Sequence, residues 1–113
     1  MKNQRIIKNN YEFQSIINKK NVKQSKSYIA YYVPNDQNNG LKYGISVGKK
    51  LGNAILRNKV KRQTRHMINE LLPKYENLNF KIIIIVRKNF LSNNYEINLK
   101  NLEYILKNLK NEK

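Results

Sequence analysis

Residues 80–87, FKIIIIVR, constrain the fold more than any other stretch of this chain. The apolar run within it is far too short to cross a bilayer, which takes about 20 apolar residues as a helix. Short, β-branched and unbroken, it reads as a strand buried on both faces. NNYEFQSIINKK (9–20) sets Tyr11 or Phe13, Ile16, Ile17 and Lys20 at helical spacing, so a short amphipathic helix with an Asn cap is expected. SYIAYYVP (27–34) reads as a strand closed by Pro34 and the turn-rich NDQNNG, with LKYGISVGKK (41–50) as its partner. Alternation puts Tyr43, Ile45 and Val47 on one face of that partner and Gly44, Ser46 and Gly48 on the other, which is nearly bare. Glycine in a strand marks either a close backbone approach or a bulge. Asn53 is placed to cap a helix running to about Leu72 and ended by Pro73. A last helix, from about Asn94 to Lys110, carries Ile97, Leu99, Leu102, Ile105, Leu106 and Leu109. The order α-β-β-α-β-α, with room for an extra short strand, predicts an α+β fold: a two-layer sandwich of a small mixed sheet with helices.

A length of 113 residues fits a single domain over 1–113, with fraying expected at 1–6 and 111–113. The absence of cysteine excludes a disulfide framework, a thiol nucleophile and a Cys-based zinc site, and suits a reducing compartment. With a polar N-terminus and no export signal, a cytoplasmic protein without membrane attachment is expected. The formal charge of +16 points to a polyanionic partner. Bulk lysine is weak evidence in a chain so rich in Asn, Ile and Lys, and the distribution says more. Of five arginines, Arg57, Arg62 and Arg65 fall within nine residues, and no Asp or Glu lies between Asp36 and Glu70.

At about 100° per residue from Arg57, the residues Asn58, Lys61, Arg62 and Arg65 fall within roughly 140°, while Leu56, Val60, Thr64, Met67 and Leu71 cluster between roughly 260° and 340°. One stripe can dock on the sheet while the other meets a ligand. Cations near a helix N-terminus cost a few tenths of a kcal/mol each, and solvated faces normally mix signs to gain i,i+4 pairs. Here, with Lys49 and Lys50 upstream, the cations stand without an acid, so an external polyanion is implied. Guanidinium forks suit phosphate, lysine adds point charge, and Asn58 can reach a sugar or base edge. Nothing points to catalysis or a metal: His66 is a lone histidine suited to solvated surface, the carboxylates are scattered singly, and no phosphate-binding glycine loop occurs.

GISVGKKLGNAILRNKVKRQTR (44–65) resembles the protein subunit of bacterial ribonuclease P, whose signature is an Arg-Asn pair, then Lys-Arg, then Arg at helical spacing. Arg57, Asn58, Lys61, Arg62 and Arg65 occupy those positions, and the likeness extends to IIIIVRK and to NNYEFQSII. The resemblance implies a ribosomal-protein-S5-domain-2-like fold with a left-handed βαβ crossover. It implies a non-catalytic subunit of an endoribonuclease, in which an RNA subunit, with Mg²⁺ held mainly by RNA and substrate, removes the 5′ leader of precursor tRNA. The basic helix would meet the catalytic RNA, with Lys49 and Lys50 as additional contacts. Phe13, Ile29, Tyr31 and Ser46 would line a cleft for the leader, where Gly44, Ser46 and Gly48 leave room for a sugar-phosphate chain. The protein is expected to be monomeric apart from the holoenzyme. Ile17, Lys20, Lys26 and Gly48 depart from the family pattern, which often has an aromatic, Gly, Arg and Ser there. Phe13 and the tyrosines also fit plain core packing. The rival class is a ribosomal or other structural RNA-binding protein; a helix–turn–helix reading is poorer because no compact helix pair frames the basic helix.

Overall fold

The computed structural model describes residues 5–109. Helix α1 (Asn10–Asn18) is followed by strands β1 (Val22–Gln24), β2 (Tyr28–Pro34) and β3 (Lys42–Ser46), helix α2 (Ala54–Tyr75), strand β4 (Phe80–Val86) and helix α3 (Tyr95–Lys107). Short 3-10 turns at Lys49–Leu51 and Lys88–Ser92 lead into α2 and α3. All three helices open on an asparagine whose side chain accepts from the first turn: Asn9 from the amides of Tyr11 and Glu12, Asn53 from Leu56, and Asn94 from Ile97.

The strands form one mixed sheet in the order β1-β2-β4-β3, antiparallel except for the parallel β3–β4 pair that α2 connects. As the IIIIV run requires, β4 is central and covered on both faces, with Ile82, Ile83 and Ile84 all buried. One face carries Tyr28, Ala30, Tyr32, Tyr43, Ile82, Ile84 and Val86 into the main core with α2 and α3. Val60, Thr64, Met67, Ile68 and Leu71 of α2 are buried, each full-sized apolar side chain contributing about 1.5–3 kcal/mol. Within that core the Tyr28 hydroxyl lies 3.2 Å from Thr64 Oγ1 and 3.3 Å from Met67 Sδ, so two polar groups are satisfied where water is excluded. The opposite face carries a smaller cluster of Ile7, Ile16 and Ile83, joined by Phe13, Ile17, Tyr31, Val33 and Ile85. The main sandwich therefore has two layers, and α1 adds partial cover to the second face.

Three boundaries differ from expectation. Pro73 does not end α2, which continues to Tyr75 and closes with the Glu76 amide on the Leu72 carbonyl at 2.7 Å. In the last turn of an exposed helix end, proline forfeits little more than one intrahelical bond. Helix α3 stops at Lys107; Lys110 lies outside the described residues. The expected fraying does not reach Arg5 and Ile6: Tyr43 donates its amide to the Arg5 carbonyl at 2.8 Å, and the Arg5 guanidinium reaches the Leu41 carbonyl and Glu76. Residues 1–4 and 111–113, the remainder of that expectation, are outside the described part.

Candidate RNA interface

The polar stripe of α2 is open. Asn58, Lys59, Arg62 and Arg65 are exposed, and Arg57 and Lys61 half-buried at the boundary with the core. Among the described residues the ion pairs are Arg5–Glu76, Lys74–Glu103 and Lys81–Glu12, so none of the stripe's cations is neutralised by a described acid. The Arg57 Nε donates to the Gly52 carbonyl at 3.1 Å, which holds that guanidinium against the loop before the helix. Ile68, at about 20° from Arg57 on the wheel, is buried although the apolar stripe read from the sequence omitted it. This is why Arg57 and Lys61, at about 0° and 40°, have partly covered stems while Arg62 and Arg65 stand free. Lys49 and Lys50 are exposed on the turn before α2, with Leu51 buried beneath them.

The four residues expected to line a cleft share the α1 side of the sheet. The register aligns Ser46, Ile85 and Ile29 in one row, and Gly44, Ile83 and Tyr31 in the next. Ile29, Tyr31, Ser46 and Ile85 are half-buried, so neither row is sealed except at Gly44 and Ile83. The expected free space above Gly44 is not there: a Cβ on Gly44 would lie 2.6 Å from Phe13 Cε2, because the Phe13 ring fills it. Phe13 thus packs with the smaller cluster, over Gly44. Above Gly48 nothing lies within 4 Å of an added Cβ, so no steric demand keeps glycine there.

Two groupings escaped the sequence reading. Beyond the last register pair, Ser46 and Ile85, the two parallel strands leave the sheet at the same end, one towards Lys49 and Lys50 and the other towards Arg87 and Lys88, so further cations gather at that end. Arg87 there donates to the Ser25 carbonyl at 3.1 Å, beside exposed Lys26. Second, Tyr95 of α3 donates to Glu70 at 2.7 Å and meets His66 Nδ1 at 2.9 Å. Burial, then the bond to Glu70 and its charge, push the Tyr95 hydroxyl up to about 12, so it stays a donor. His66 is exposed as expected, yet it is tied to α3 rather than free. Only the strand order could have revealed the first grouping and only the packing of α3 on α2 the second. No group of three or more potential metal ligands occurs among the described residues, and none of their helices is long and apolar enough to cross a membrane.

This chain is similar to proteins of one family. The family model described as Ribonuclease P matches residues 1–110. The ribonuclease P protein component of Mycoplasma mycoides subsp. mycoides SC is 47% identical over 110 residues, spanning 97% of this chain and 100% of that one. That of Mesoplasma florum is 43% identical over 106 residues, spanning 94% and 96%. Among solved structures, the Staphylococcus aureus RNase P protein aligns with a TM-score of 0.79 at 34% identity, covering 93% of this chain and 94% of that one. The Thermotoga maritima protein reaches 0.82 at 23% identity, covering 93% and 97%, a likeness of fold. With the match running nearly end to end, this chain belongs to the ribonuclease P protein family.

Proposed function

We propose that this chain is the protein partner of a catalytic RNA, that it meets that RNA through α2, and that it holds the 5′ leader of precursor tRNA on the α1 side of the sheet. The carrying observation is the unneutralised ridge of Arg57, Lys61, Arg62 and Arg65. In such a surface each phosphate contact releases counterions, which drives association with RNA. Lys49 and Lys50 extend the ridge towards the sheet end, and Asn58 supplies an uncharged donor and acceptor. Ile29, Tyr31 and Ser46, with the Phe13 ring at the wall, offer a half-open apolar floor on which leader bases can stack, worth about 1–3 kcal/mol per base. The protein binds and positions; the RNA subunit hydrolyses the phosphodiester, with Mg²⁺ held mainly by RNA and substrate. One domain suffices for both contacts, the free protein is monomeric, and the place of action is the cytoplasm.

Reconstitution with the RNA subunit at low Mg²⁺, following cleavage of a leader-bearing tRNA, tests this reading. The protein should stimulate cleavage and favour precursor over mature tRNA. No stimulation would refute it.

A further inference from the structure

The outer edge of β3 is closed by its neighbour only at Tyr43. The Tyr43 amide donates to the Arg5 carbonyl at 2.8 Å and its carbonyl accepts from Ile7 at 2.7 Å. The chain then leaves the edge at Lys8 and turns into α1 under the Asn9 cap. Main-chain groups alternate in direction along a strand. With Tyr43 turned outward, Gly44 and Ser46 bond to β4, and the N–H and C=O of Ile45 face outward as those of Tyr43 do. Among the described residues no backbone group pairs with them.

This bare edge opens into a groove of about 500 Å³ whose lining includes the apolar side chains of Ile6, Phe13 and Ile45 and the cations Lys8, Lys61 and Arg65. No carboxylate lines it. Lys61 and Arg65 stand one helical turn apart, so the groove is continuous with the basic ridge. An apolar occupant would bury the Ile45 donor and acceptor without partners, which is unfavourable. The occupant must therefore be polar along one edge, flat enough for Phe13 and Ile45, and anionic.

We propose that this groove reads one nucleotide of a single RNA strand through the main chain. The base packs against Phe13 and Ile45, with a donor–acceptor edge on the outward N–H and C=O of Ile45. Its flanking phosphates are met by Lys8 on one side and by Lys61 and Arg65 on the other. The inference rests on the RNA-binding reading above and adds to it a main-chain contact at Ile45 and a phosphate contact at Lys8.

The test is amide hydrogen exchange, followed by NMR on the full-length protein at fixed salt, with and without a five-nucleotide oligouridylate. Exchange of the Ile45 amide should slow by about tenfold or more at saturation. Lys8→Gln should weaken oligouridylate binding severalfold and reduce the slope of log affinity on log salt by about 0.7. Replacing the Ile45 amide with a backbone ester deletes the outward N–H, while weakening the Gly44 carbonyl as an acceptor on the β4 side, and should weaken oligouridylate binding severalfold with the salt slope unchanged. Salt-sensitive binding with unchanged Ile45 exchange would overturn the inference and leave the RNA-binding reading standing; the cations would then serve to guard an open edge against strand pairing. Protection that appears without RNA and grows with protein concentration would also overturn it, by assigning the edge to a second copy. Failure of both oligouridylate and leader-bearing tRNA to bind would remove both readings together.

Discussion

Substitution of Gly44 by alanine tests how α1 is seated on the sheet. The added Cβ would lie 2.6 Å from Phe13 Cε2, 2.8 Å from Phe13 Cζ and 3.2 Å from Ile83 Cδ1. Carbon atoms pack at about 3.5–4.0 Å, so the ring must retreat by about 1 Å and take α1 with it or leave its rotamer. Overpacking of this kind costs about 1–3 kcal/mol. Alanine in an extended segment recovers about 0.5–1 kcal/mol of backbone entropy relative to glycine, which leaves a net loss of up to about 2.5 kcal/mol. Phe13→Ala alone removes a half-buried ring and destabilises by a comparable amount, but it also vacates the space that the methyl group added at position 44 needs. The double variant should therefore be more stable than the sum of the single losses by about 1 kcal/mol or more. Urea unfolding followed by circular dichroism, at one phosphate concentration because anions that bind the native state raise its apparent stability, gives all four corners of the cycle. Additivity within about 0.5 kcal/mol, or a stabilised Gly44→Ala variant, would refute the idea that Gly44 exists to receive Phe13.

Lys20 follows α1 at φ +63°, a left-handed conformation that costs an L-residue about 1–2 kcal/mol. Lys20→Gly should raise stability by about 0.5–1 kcal/mol after the entropy of the unfolded chain is subtracted, and Lys20→Ala should give no such gain; equal urea midpoints for Lys20→Gly and the parent would count against it. Arg62→Ala and Arg65→Ala should leave the helix intact, since both side chains are exposed, and should each reduce the slope of log affinity on log salt for the RNA subunit by about 0.7–0.9. An unchanged slope would take α2 out of the interface. Burial pushes the Tyr28 hydroxyl from 10.0 up to about 12, with the bond to Thr64 opposing. The native state then holds this proton more tightly than the unfolded chain does. The stability it contributes is complete below its unfolded value of 10.0 and is lost as pH rises towards 12. The urea midpoint should fall across that window, and Tyr28→Phe should flatten the fall; an unaltered profile would mean that Tyr28 does not titrate with unfolding.

Periodicity carried most of the fold because it depends only on local geometry. The IIIIV run, the three amphipathic helices and the asparagine caps of α1 and α2 follow from side-chain spacing and from which residues can accept a bond from a free amide. The short strand Val22–Gln24 was legible only as a possibility, since three residues with an exposed-intermediate-exposed pattern hold no apolar alternation of their own. The end of α2 was misjudged for the converse reason: a local rule about proline was outweighed by the rest of the last turn. The site divides in the same way. The basic stripe could be drawn on a wheel, but Arg57 and Lys61 proved half-covered once the long helix lay against its neighbours.

By its own order of residues, this chain determined its charge, its helices and strands, the ridge of cations on α2 and the likeness that places it in its family, because each depends on neighbours within a few positions. Only the tertiary structure decided that Phe13 fills the hollow over Gly44, that Arg87 joins Lys49 and Lys50 at one sheet end, that Tyr95 binds Glu70 and His66, and that Ile45 is left with an open edge. Those outcomes depend on which strands pair and in what register, and residues far apart in the chain meet only through contacts that no local spacing encodes.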